Sequence, residues 1–451
     1  MNGVEGIPRG APASPLFAVQ ETPSAGRAVF ATSDIARGTP LWIADTPSAN
    51  IILREYRREL CAQCLTYNRG REWKIRDNSV GFAFCSISCQ QEWMDALGEE
   101  GVQAWRAVEK LNKGCSRERE MVDAISAIPT EDDIKDAWSA ASTVTPLILA
   151  ARTSNPPPNK PTRRALASAL QAVAVPDVLS MLLSGILARA RDAHTWASVL
   201  ALWPNSRPYK SADDLKEHVG SYLQLVAVLP PSLLPFATPE TCYMLATRDS
   251  MNSFGIRSLD DEGAEFFGYG VWASASYFNH SCSPNVDKKR VGRAWHFTAG
   301  REVRKGEELC ITYLSGEERA LNTAARRKLL TNSWGFDGRD DTIAGAKIQP
   351  LDSPTKSNVG HDLADRGAAG TNHNIDRARI DPLGGHGQYQ HPAPHANSQG
   401  VVGRDDVFAG AKVAPLDGKH GETIAKSPGL DDEDVDSSRI NPLGEVREQM
   451  Q

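Results

Sequence analysis

Two close cysteine pairs constrain this chain more than any other feature. Cys61-Ala62-Gln63-Cys64 is followed, after a loop of twenty residues, by Cys85-Ser86-Ile87-Ser88-Cys89. Each pair can chelate from a single turn, and two pairs complete the tetrahedral thiolate set that zinc prefers. No Cys or His occurs from 65 to 84, nor between Trp93 and Cys115, so the ligands Cys61, Cys64, Cys85 and Cys89 imply one zinc. The bland alternative is a small core holding four unligated thiols. Four thiolates leave no open coordination position, which points to a structural or peptide-binding metal and away from a catalytic one. All eight cysteines lie at or before Cys310. Four of them cluster as ligand pairs, which suits a reducing compartment, so the expected residence is intracellular, in nucleus, cytoplasm or both. The N-terminus has no apolar signal-type region and no apolar run approaches the length of a span, so neither secretion nor membrane insertion is expected.

The rest of the 451-residue chain divides by pattern. Hydrophobic content of 41% supports a real core, and a net charge of −6 gives no footprint for direct nucleic-acid binding. Residues 16–43 read as short strands and turns, with Pro23-Ser24-Ala25-Gly26 as one turn. Residues 101–240 read as helical, with apolar spacing at Trp105, Val108 and Leu111 and again from Leu166 to Leu202. Asn155 to Pro161 forms a proline-rich connector between two helical groups. From about Gly338 the composition turns polar, as in a segment that cannot bury enough surface to order itself. DDTIAGAKIQPLD at 340–352 returns as DDVFAGAKVAPLD at 405–417, a duplication suited to short linear motifs that recruit partner proteins. Six of the ten histidines fall in this tail at scattered spacing, which argues against a metal role there.

Two further blocks carry the chemistry. Tyr277-Phe278-Asn279-His280-Ser281-Cys282-Ser283-Pro284-Asn285-Val286 is followed by Gly306-Glu307-Glu308-Leu309-Cys310-Ile311-Thr312-Tyr313. In this order and spacing they resemble the signature blocks of SET-domain lysine methyltransferases, and the inserted cysteine segment is similar to the MYND finger of the SMYD branch. The resemblance covers about three quarters of the chain. It implies that Asn279 and His280 bind S-adenosylmethionine and that Tyr313, ending its strand, is catalytic and faces the donor. It further implies donor contacts from Gly26 and Arg27 in the first turn, from Asn252 in Asn252-Ser253-Phe254-Gly255-Ile256, and from the aromatic Phe336. Taken singly, each motif is also an ordinary turn or strand; the combination is what is specific. Cys282 and Cys310 read as small buried hydrophobes.

Three departures from the family pattern stand out. A MYND finger carries eight ligands, and this chain has those of one site. Ala28 stands where the family has a second glycine. Residues 337–341 read Asp-Gly-Arg-Asp-Asp where SMYD-type enzymes carry a cysteine zinc loop.

The expected fold is therefore α+β: a SET-type core of short strands from residues 1–50 and 241–337, a zinc module at 51–100, a helical insertion at 101–240, and a disordered tail at 338–451. The expected function is S-adenosylmethionine-dependent methyl transfer to lysine side chains of protein substrates, histone or non-histone. The competing expectation is a weak or inactive SET-scaffold adaptor that binds partners through the zinc module and tail.

Overall fold

The computed structural model describes residues 10–22, 26–114, 127–154, 159–259 and 265–334, with the two-residue pairs 342–343 and 346–347. Apart from those pairs, the duplicated tail segments lie outside the described residues. The described residues all belong to one compact unit, Met1–Gln390.

The short strands expected over residues 16–43 are present, but they divide between two sheets. Strands β1 (Phe17–Thr22) and β2 (Gly26–Ala31) form an antiparallel hairpin in register from Phe17↔Ala31 to Thr22↔Gly26. Strand β3 (Pro40–Ala44) leaves it to join a sheet with two later strands. Next, β4 (Ala49–Ile52) enters a second sheet, and β5 (Ile75–Asp77) and β6 (Phe82–Phe84) make the hairpin of the cysteine module. Seven helices follow: α1 (Ile87–Gly114), α2 (Glu131–Thr153), α3 (Lys160–Gln171), α4 (Pro176–Arg191), α5 (Ala193–Leu200), α6 (Ala212–Val228) and α7 (Pro239–Asn252). Then β7 (Ser253–Arg257) and β8 (Phe266–Val271) complete the order β4-β8-β7. Strands β9 (Val286–Val291) and β10 (Ala294–Ala299) complete β3-β10-β9.

Local chemistry explains the helix boundaries. Thr130 and Asp133 form a reciprocal capping box at the start of α2, and Asn159 with Thr162 does the same for α3. Asp192, Ser211 and Thr238 cap α5, α6 and α7. Helix α1 is broken at Gly98, whose φ of 68° lies in the left-handed region that glycine alone adopts without strain. Helix α7 runs past residue 240 and delivers Asn252 at its last turn, directly into β7.

The helical layer is packed against β4. Helix α4 buries Val178, Leu179, Met181, Leu182, Leu183, Ile186 and Leu187, each contributing roughly 2 kcal/mol of apolar burial. Polar stitches set its register: the Asn50 N–H donates to Ser184 Oγ at 3.0 Å, and the Arg54 N–H to Asp177 Oδ1 at 3.0 Å. On the other side, β8 is buried along its whole length. A Cβ at Gly268 would sit 2.2 Å from the carbonyl oxygen of Ile51, so only glycine lets β4 and β8 approach this closely. One hydrophobic cluster runs continuously from Phe17 through the helices to Ile311.

One expectation is corrected. Residues 306–313 are extended but do not make a regular strand. The segment pairs with β2 first, through Ala31 N–H to Glu307 O and Leu309 N–H to Val29 O. It then changes partner to the 279–286 segment, through Ile311 N–H to Asn279 O and Val286 N–H to Cys310 O. No partner is kept long enough for a ladder. The basic stretch after Tyr313 is two helices, α8 (Gly316–Ala320) and α9 (Thr323–Trp334). Asn322 Oδ1 accepts the Ala325 N–H at 2.9 Å and so caps a new helix instead of continuing the old one.

Among the described residues no single helix is long and apolar enough to cross a membrane. Helices α3 and α4 pass that test only as a pair bent by 114°, and α4 is already spent on the core.

Candidate active site and metal centre

The switch of partners at residues 309–311 brings the two signature blocks side by side. Asn285 locks them: its Oδ1 accepts the Cys310 N–H at 2.8 Å, and its Nδ2 donates to the Glu308 carbonyl at 2.7 Å. The side chain is 3% exposed and serves as a length of strand edge. Asn279 does the same one layer away, donating from Nδ2 to the Arg27 carbonyl at 3.1 Å and to Glu308 Oε1 at 3.0 Å. It therefore ties β2 to both blocks.

His280 is 1% exposed, and its ring is committed to the protein. Nδ1 accepts the Tyr313 N–H at 2.9 Å, which leaves the proton on Nε2, 3.4 Å from Cys282 Sγ. Burial, then the charges of Lys288, Arg326 and Arg319, drive its pKa down to about 3. The ring is a neutral positioning group. The backbone is different: the flanking bonds to Ile311 are made by Asn279 O and Ser281 N, so the N–H and C=O of His280 face the other way. Among the described residues neither has a hydrogen-bond partner.

Tyr313 packs its ring between His280 and Trp334, with centroids 5.3 Å away on each side. Its hydroxyl donates to the Phe278 carbonyl at 3.2 Å, and burial, followed by the Cys310 and Glu308 charges, raises its pKa above the ordinary tyrosine value. The hydroxyl stays protonated, with its lone pairs directed away from Phe278. Tyr313 lines a cavity of about 120 Å³ together with Asn252, Phe254, Trp295 and Trp334. Asn252 Nδ2 donates to the carbonyls of Arg248 at 2.7 Å and Trp203 at 3.0 Å. That leaves its Oδ1 as an acceptor without a partner among the described residues.

The first-turn residues sit elsewhere. The Arg27 guanidinium donates to Tyr277 Oη at 3.1 Å, stacks on that ring, and donates to the Ala201 carbonyl. It joins β2 to the helical layer. Gly26 takes a φ of 63° at the start of β2, and a Cβ added there would meet the Trp203 ring at 3.9 Å. Neither residue lines the Tyr313 cavity. Phe336 lies outside the described residues.

The four predicted metal ligands come together. The sulfurs of Cys61, Cys64, Cys85 and Cys89 lie within 4.8 Å of one another, with Cys64 to Cys85 and Cys85 to Cys89 at 3.5 Å. Sulfurs on a tetrahedral zinc at the usual bond length are about 3.8 Å apart, and all four thiols are free of disulfides, so the set fits zinc. Hydrogen bonding from the Cys61 thiol lowers the Cys64 thiol to about 4, while the same contact pushes Cys61 up, so the cluster already favours a thiolate. Leu65 closes the first knuckle at φ 58°, strain offset by burial at 1% exposure. The β9–β10 hairpin supports the knuckle from outside: Arg293 Nη1 donates to the Gln63 carbonyl at 2.8 Å and Arg290 Nη1 to the Leu65 carbonyl at 3.4 Å. Both guanidiniums feel the thiolate charge.

A model of the SET domain matches residues 26–314, from the first turn to one residue past Tyr313. The chain belongs to the SET domain family. The cysteine module and the helical layer both lie within the matched span. A relative from Saccharomyces cerevisiae, "Potential protein lysine methyltransferase SET6", is 25% identical over 72% of this chain and 94% of its own length. "Histone-lysine N-methyltransferase ASHR2" of Arabidopsis thaliana is 29% identical over 29% of this chain and 35% of its own length. "Protein-lysine N-trimethyltransferase SMYD5" of Mus musculus is 33% identical over 22% of this chain and 24% of its own length. The chain thus spans nearly all of the first relative and about a third and a quarter of the other two.

In and beside this SET domain several residues that matter to the site carry no obvious sequence signal. Arg290 and Arg293 read as ordinary charges on a surface hairpin, and Trp334 as a helix-end aromatic. Asn285 was legible as part of its motif but not as the clasp between the blocks.

Proposed function

We propose that this SET-domain protein transfers methyl groups from S-adenosylmethionine to lysine side chains of protein substrates, histone or non-histone, inside the cell. The observation that carries the reading is the registration of Tyr313 by His280 beside a cavity walled with aromatics. S-Adenosylmethionine, when bound, supplies an electrophilic methyl on a sulfonium.

The residues present fit such a donor. The unpaired N–H and C=O of His280 offer an edge for a flat heterocycle, and Asn252 Oδ1 can accept from an ammonium. Tyr313, held by its ring neighbours and by the bond to Phe278, would direct hydroxyl lone pairs at polarised C–H groups, a preorganised contact felt mainly in the transition state. Walls made by Phe254, Trp295 and Trp334 exclude water and favour loss of the substrate lysine's proton, which an in-line displacement requires. No residue need act as a strong base. The zinc set would hold the module rigid, and the module and tail would recruit partners.

Isothermal titration of S-adenosylmethionine into the full chain tests the reading. Binding in the micromolar range, lowered at least tenfold by Asn252→Ala, supports it. No binding at millimolar donor favours the adaptor reading instead.

A further inference from the structure

Strand β9 carries a lysine where its pattern calls for a core residue. Along Val286–Val291 the odd-numbered Asp287, Lys289 and Val291 are exposed, while Val286 and Arg290 are buried and Lys288 is half-buried on the same inward face. Lys288 also lines the Tyr313 cavity. Its Nζ lies 5.3 Å from the centroid of the Phe254 ring and 5.7 Å from that of Trp295, so the ammonium is seated on two of the aromatic walls. Its charge reaches His280, where it is the second cause of the lowered pKa.

We propose that Lys288 is a built-in occupant of the amine pocket, holding the position that a substrate lysine must take. The inference rests on reading the Tyr313 cavity as the methyl-acceptor site. An aromatic wall recognises an alkylammonium through its ring faces, and here those faces are already covered by a cation from the protein's own sheet. A second ammonium entering beside it meets like charge in a water-poor space, so an incoming lysine has to displace Lys288 first. The occupant is tethered to a paired strand: its neighbours are fixed by the register Phe297↔Lys288 and Thr298↔Asp287. Displacement is therefore a side-chain movement and leaves the sheet intact. The pocket is self-occupied at rest, and its substrates are those able to compete with a tethered lysine.

The test uses n-butylamine, which has the chain length of a lysine side chain, and needs no turnover. Saturation-transfer NMR on the full chain should show no n-butylamine binding to wild type and clear binding to Lys288→Leu, with Lys288→Met as the unbranched alternative should the first not fold. Equal signals from wild type and variant, or no gain in either variant, would overturn the proposal. Methyl transfer from labelled donor to core histones and to a protein extract is measured alongside. A rise of threefold or more in kcat/KM for Lys288→Leu, at unchanged donor affinity, supports the proposal further; a lysine with a packing role alone would leave or lower it. Gain of amine binding with no transfer by any form would remove the methyltransferase reading while leaving Lys288 as the occupant. Transfer by wild type with no gain of amine binding would do the reverse.

Discussion

The backbone N–H of Tyr313 donates to Nδ1 of His280 at 2.9 Å, and that ring is neutral because burial drives its pKa down to about 3. Protonation would put a hydrogen on Nδ1 and break the contact that places Tyr313. The folded-state pKa lies below the unfolded value of about 6.5, so the unfolded chain takes up the proton first. Stability from this group is complete above pH 6.5 and is lost as pH falls toward 3, by up to roughly 1.4 kcal/mol per pH unit. Denaturant titration from pH 7 to 4.5 should show this decline, and His280→Gln should flatten it.

Asp249 contributes in the opposite direction. It is fully buried in α7, accepts from Ser253, and is pushed up to about 7 by burial, against the lowering effects of Ser253, His218 and Lys210. Its folded pKa lies above the unfolded value, so its stabilisation is complete below about pH 4 and is lost as pH rises through 7. Asp249→Asn should therefore stabilise the protein by up to about 4 kcal/mol at pH 8 and by almost nothing at pH 4. Paired denaturation curves at the two pH values check this; an equal effect at both would place the carboxylate in a solvated setting.

Asn285→Leu keeps the volume but strands the Cys310 N–H and the Glu308 C=O in the core. Each buried orphan costs about 1–3 kcal/mol, so a loss of roughly 2–5 kcal/mol is expected. The same variant should loosen the two blocks and lower donor affinity, which calorimetry would register.

How far the sequence carried can be judged from such residues. Motifs with a fixed local geometry were readable: the cysteine pairs sit on a turn and a helix start, and the strand alternation of residues 16–43 needs only neighbours. What could not be read depends on distant contacts. Nothing near Gly306 shows that its segment serves two partners in succession and never forms a ladder. Arg27 was expected at the donor from its place in the first turn, but no local pattern shows that its guanidinium reaches Tyr277 and Ala201, residues 174 or more positions away. Lys288 stands in the charged run Asp287-Lys288-Lys289-Arg290, and only the placement of its strand turns that side chain inward.

The metal centre yields a further expectation. One zinc per chain should be found by metal analysis, and Cys61→Ser or Cys85→Ser should reduce it to near zero. Arg293→Ala keeps all four thiolates but removes the bond to the Gln63 carbonyl and a compensating charge, so zinc affinity should fall about 10- to 100-fold, as for other outer-shell supports. Competition with a chromogenic chelator measures it, and two zincs per chain would show that the ligand set is wrong.

Methyl transfer by Tyr313→Phe tests the central claim most directly. The substitution removes one oxygen and leaves the ring packed between His280 and Trp334. Labelled S-adenosylmethionine is supplied to wild type and variant with a protein extract lacking the enzyme, and donor affinity is measured in parallel. The account predicts a fall in transfer of about 10²-fold or more with donor affinity within about twofold of wild type. Near wild-type transfer by Tyr313→Phe would contradict it.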